Sequence, residues 1–165
     1  MNAHFTGSTG ECLKHYADRH RKARSATYRA MGDFVGVGKR TVARWVAGHE
    51  KPIGQRLVRL RFFLEHVGYQ VDEIQKLDPT VRILARLFAH NIVTITAIAR
   101  FAGYAVGRVS RDSIIAVFRG DRGVSPERLE KFKSLGERIS GEIGWPTEAK
   151  AAPALAELQP KGRGQ

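Results

Sequence analysis

Residues 28–48 read Tyr-Arg-Ala-Met-Gly-Asp-Phe-Val-Gly-Val-Gly-Lys-Arg-Thr-Val-Ala-Arg-Trp-Val-Ala-Gly, and their spacing decides the fold. The apolar positions recur with a helical period, and Gly36 and Gly38 break that period in the middle. One helix therefore runs to Phe34, and a second fits Lys39–Ala47 and stops at Gly48. Gly36 falls in the turn, where a left-handed backbone is needed that only glycine adopts freely. On the second helix Val42 and Trp45, with Val37 just before it, are spaced to face inward. Lys39, Arg40 and Arg44 fall on the opposite, outward side.

The same reading extends in both directions. Residues 1–10 are small and polar and are expected to form a flexible N-terminus. A helix begins near Glu11, with Leu13, Tyr16, Ala17 and His20 on one face. Ser25 or Thr27 is placed to cap the helix that ends at Phe34. Pro52 opens a further helix with the stripe Leu57, Leu60, Phe63, Leu64 and Val67, and Gly68 ends it. Asp78-Pro79 is another helix start, followed by Val81, Leu84, Leu87 and Phe88. Thr94 or Thr96 starts the next, and Ser110 or Asp112 is expected to cap a helix through Phe118 that ends at Gly120. Ser125-Pro126-Glu127 begins the last, with Leu129, Phe132, Leu135 and Ile139 as its stripe. No segment alternates with period two, so the fold class is all-α. Residues 145–165 are rich in Ala, Pro, Gly and Lys and are expected to be a flexible tail.

Residues 28–48 resemble the helix-turn-helix of the Cro/CI (lambda repressor-like) superfamily. Gly32 lies where that family keeps a small residue so that two helices can approach closely. Gly48, then Pro52, then an apolar helix is how many members continue. His66-Val-Gly-Tyr-Gln-Val-Asp-Glu-Ile74 resembles the short segment that closes such domains, so the resemblance covers about residues 11–77. It departs at Gly38, where the family more often has Ser or Thr; the weaker cap costs about 0.5–1 kcal/mol. The resemblance implies a sequence-specific protein of double-stranded DNA that places helix 39–47 in the major groove. Lys39, Arg40 and Arg44 would then reach base edges, and Arg29, Gly38, Thr41, Lys51 and Arg56 would contact phosphates. Transcriptional regulation, commonly repression, is the output the resemblance implies.

The charge distribution agrees with a polyanionic partner. The 165 residues carry a net charge of +12. Between Arg19 and Arg61 twelve basic residues face only Asp33 and Glu50, a net of +10. The second half reads as a diverged copy. Trp45-Val-Ala-Gly48 aligns with Val117-Phe-Arg-Gly120 at an offset of 72, which also pairs Leu57 with Leu129 and Leu60 with Phe132. Phe34-Val-Gly36 aligns with Phe101-Ala-Gly103 at an offset of 67. Five extra residues fall at about 105–112. The expected organisation is thus two tandem small helical bundles, 11–77 and 78–144, each with a helix-turn-helix. From Arg108 to Lys133 seven basic residues face four acidic ones, a net of +3. Arg108, Arg111, Arg119 and Arg122 form a possible second DNA surface. The second unit could equally serve a homodimer, an intrachain pseudo-dimer or a protein partner.

Other chemistry finds little footing. Cys12 is the one cysteine, so no intrachain disulfide can form and a reducing compartment fits. Cys12 and His15 have a metal-like spacing but no second ligand pair follows, so no metal and no cofactor are expected. No catalytic motif is legible, and the chain is not read as an enzyme. No signal peptide and no apolar run of membrane length occur, which gives the expectation of a cytoplasmic, nucleoid-associated protein without a membrane partner. Two alternatives remain open at this level: an accessory DNA-binding subunit of a recombination, replication or plasmid-control complex, and a basic RNA-associated protein, for which few aromatics are interleaved with the basic residues.

Overall fold

The glycines of the quoted stretch sit where two helices meet. In a computed structural model that describes residues 4–144, helix α2 (Arg24–Val35) and helix α3 (Lys39–Val46) are joined by three residues. Gly36 closes α2 with φ +85°, a left-handed conformation. The Gly32 carbonyl accepts from the amides of both Gly36 and Val37, each at 2.8 Å. A methyl on Gly32 would collide with the Val37 carbonyl oxygen. Hydrogen at that position is therefore what lets the turn fold back on α2.

The fold is all-α. Before α2 come α1 (Thr9–Arg19) and a single 3-10 turn at Arg21–Ala23; after α3 come α4 (Gly54–His66) and the short α5 (Asp72–Gln75). The second half consists of α6 (Pro79–Ala89), α7 (Ile95–Phe101), α8 (Arg108–Arg119) and α9 (Pro126–Ile143). Several caps fall where the sequence puts them. The Asp78 carboxylate accepts from the Thr80 amide ahead of Pro79, Thr94 accepts from Ala97, and Ser125 accepts from Arg128. Others differ. Neither Ser25 nor Thr27 caps α2, which follows directly from the 3-10 turn, and Thr27 is buried instead. Helix α8 starts at Arg108 behind Gly107, ahead of both Ser110 and Asp112, so part of the inserted stretch lengthens the helix.

The N-terminal residues also correct the sequence reading. Thr6–Gly7 (β1) pairs in parallel with Gln70–Val71 (β2), a two-residue ladder too short to show a period. Ser8 then caps α1 in a capping box with Glu11. Residues 4–10, expected to be flexible, are thus tied down by main-chain pairing to a segment 64 positions away. The expected tail, 145–165, lies outside the described residues, as do residues 1–3.

Helices α1–α4 pack in the pairs α1·α4, α2·α3, α2·α4 and α1·α3, and α6–α9 pack in the corresponding pairs α6·α9, α7·α8, α7·α9 and α6·α8. One continuous apolar core nonetheless runs from Cys12 to Leu135. Helix α4 is its spine and touches α1 and α2 on the first side, α6 and α8 on the second. Its Val58, Leu60, Phe62 and Leu64 are all buried. Burying apolar area at about 25 cal/mol per Å² is what holds the halves together.

Candidate functional site

Helix α3 is strongly two-sided. Val42 and Trp45 are buried, and Val37 and Val46 are packed half-buried against the core. Lys39, Arg40 and Arg44 stand exposed on the other side. The Trp45 indole Nε1 is buried without a hydrogen-bond partner among the described residues. Its ring therefore serves packing and leaves an unsatisfied donor, a cost the site accepts to anchor α3.

The N-terminus of α3 is open. Gly38 occupies the N-cap in extended conformation and supplies no side-chain hydrogen bond. No side chain therefore covers the positive end of the helix dipole, although the Thr41 amide already donates to the Gly38 carbonyl at 3.0 Å. Arg29, Lys51 and Arg56 are exposed, while Thr41 is half-buried. Lys39 Nζ donates to Ser25 Oγ at 3.4 Å, which ties the start of α3 to the start of α2. Arg44 pairs with Glu50 at 3.2 Å, both well exposed. An exposed pair of this kind contributes about 0–1 kcal/mol, so Arg44 can exchange it for another partner at little cost.

The concentration of charge between Arg19 and Arg61 is not all available to a ligand. Arg59 donates to Asn91 Oδ1 at 2.6 Å and lies over the Phe88 ring. Arg61 donates to Thr9 Oγ1 and to the Arg119 carbonyl, with the Glu73 carboxylate at 3.9 Å. Burial lowers the pKa of both guanidinium groups. These two arginines staple the halves together. Arg86 does the same from the other side: it is buried and grips Glu65 with two hydrogen bonds of 2.8 Å. Helical spacing alone marks all three as ordinary surface positions, and only the partners reveal their role.

In the second half Arg108, Arg111 and Arg122 are exposed. Arg108 and Arg111 line a cleft of about 550 Å³ with Asp112 and with Gly54 and Gln55 from the first turn of α4. Arg119 is different. It is half-buried and pairs with Asp121 at 2.7 Å, and its Nε is buried without a partner among the described residues. Arg122 donates to Ser113 at 3.1 Å.

The single cysteine lies in the core. Cys12 is fully buried, its thiol donates to the Gly7 carbonyl, and burial with nearby carboxylates pushes its pKa up to about 11. It is an inert packing residue. Among the described residues no helix is long and apolar enough to cross a membrane. No protein-family model, no curated protein and no solved structure matches this chain.

Proposed function

We propose that the chain is a sequence-specific double-stranded DNA-binding protein that inserts α3 into the major groove. The observation that carries the reading is the division of α3 into a buried Val42/Trp45 face and an exposed Lys39/Arg40/Arg44 face behind an uncapped N-terminus. An α-helix fits the major groove, and arginine forks match the two acceptors of a guanine edge. Arg40 and Arg44 are assigned to bases with Lys39. Arg29, Thr41, Lys51, Arg56 and the Gly38 backbone are assigned to phosphates on either side. Arg108 and Arg111, across the cleft from α4, extend the basic surface so that one duplex can be held by both halves. Arg122 joins them, and Arg119 contributes only if it leaves Asp121. The resemblance to the Cro/CI superfamily supports the same assignment, and transcriptional regulation is the output proposed with it, by analogy of motif.

The test starts from a random duplex library, from which the preferred site is selected with the full chain. Arg40→Ala and Arg44→Ala should each lose about 1–3 kcal/mol of discrimination in fluorescence anisotropy while circular dichroism stays unchanged. Preference retained by both variants would remove α3 as the reader. A structured RNA that outcompetes the selected duplex would favour an RNA-associated role instead.

A further inference from the structure

A cleft of about 400 Å³ opens between α1, the end of α4 and the N-terminal strand, a volume in the range of small-molecule sites. Rings dominate its walls. Phe5 stacks flat on His15 at 4.2 Å and meets Tyr69 edge-on at 5.9 Å, and Tyr16 packs against His20 at 4.6 Å. The polar groups converge on one point, the Tyr69 hydroxyl. His15 Nδ1 lies 2.9 Å from it, and Arg19 sits beside it. No acidic residue lines the cleft.

We propose that this cleft binds a small planar aromatic anion. The ring of the ligand stacks in the aromatic part, where offset and edge-on contacts add about 0.5–1.5 kcal/mol beyond area burial. Its anionic group sits at the Arg19–Tyr69–His15 end, where a guanidinium and a hydroxyl are already in place. Pre-placement matters because side chains fixed before binding lose less entropy on it. The Phe5–His15 stack and the Thr6–Gly7 pairing with Gln70–Val71 hold the wall in position. The site depends on none of the residues assigned to DNA, so it stands or falls separately from that reading. Carboxylate and phosphate satisfy the same groups, and the experiment separates them.

Proton NMR of the full chain, following the Phe5, His15 and Tyr69 ring signals, is titrated with indole-3-acetate in one arm and adenosine monophosphate in the other. One of the two should shift those signals saturably with a Kd below about 1 mM, and which one does names the anion. Uncharged 3-methylindole should bind at least about tenfold more weakly than the successful anion. Arg19→Ala, an exposed change, should weaken binding about tenfold with an unchanged fold, and Arg19→Lys should recover part of it. Failure of both anions to saturate, equal binding of 3-methylindole, or an unaffected Arg19→Ala would each overturn the proposal.

Discussion

The helix pairs α2–α3 and α7–α8 are built on the same backbone plan and carry different chemistry. Gly36 and Gly103 both close their helices left-handed, at φ +85° and +74°. The Val37 amide returns to the Gly32 carbonyl, and the Tyr104 amide to the Ala99 carbonyl, at the same spacing. Val42 and Trp45 in α3 have buried counterparts in Ile114 and Val117 in α8. Of the outward positions, Lys39 has a basic counterpart in Arg111, whereas Arg40 corresponds to Asp112 and Arg44 to Ala116. Arg56 is exposed, whereas its counterpart Arg128 lies over the Tyr104 ring at 3.9 Å. Inward positions tolerate little variation because a cavity or clash is felt at once, while surface charge can differ at small cost to stability. On the proposed function, base reading would fall to the first pair and support to the second.

The strongest test of that plan is at its core. Trp45→Ala should destabilise the protein by about 3–5 kcal/mol. Because the core is continuous through α4, the loss should appear as one cooperative transition in calorimetry. A separate transition for each half would mean that the halves are independent units after all.

Acid should weaken the seam between the halves next. Phe34, His66 and His90 meet there, with the imidazoles 5.5 Å apart. Burial first, then His66 and Arg86, drive the His90 pKa down from 6.5 to about 4, and burial lowers that of His66 as well. Between those values the unfolded chain takes up a proton that the folded chain refuses. Stability is therefore full above about pH 6.5 and declines as pH falls towards 4, by up to about 3 kcal/mol for His90. Urea melts across that range should show the decline, and His90→Gln should flatten it. An equal decline in the variant would place the acid sensitivity elsewhere.

The smallest effects separate the two turns. Gly32→Ala forces the methyl against the Val37 carbonyl and should cost about 1–3 kcal/mol. At the matching position, Ala99→Gly only adds backbone freedom within a helix, at about 0.5–1 kcal/mol. Thermal melts of both variants rank them. A larger loss from Ala99→Gly would show that the two turns are not equivalent.

Much of this was legible along the chain because the signals are local. Helical period, Asp78-Pro79, Ser125-Pro126 and the glycines at 32, 36 and 48 act within a few residues of themselves. The 72-residue offset is visible for the same reason, since helices that bury the same face share an inward spacing. The starts of α2 and α8 are not legible in the sequence because a 3-10 turn and a glycine cap leave no strong side-chain signal.

What the sequence alone determined is the all-α character, the two glycine-turned helix pairs and the exposed basic face of α3, each a matter of spacing. What tertiary structure decided is which of the charges remain free. Arg59, Arg61 and Arg86 resemble their surface neighbours in sequence, yet their partners lie 21 to 58 positions away. The order of residues 4–10 and the ring-lined cleft at Tyr69 likewise depend on pairing across 64 positions and 54 positions. Periodicity describes only which side of its own helix a residue occupies; what stands opposite is set by how the helices pack.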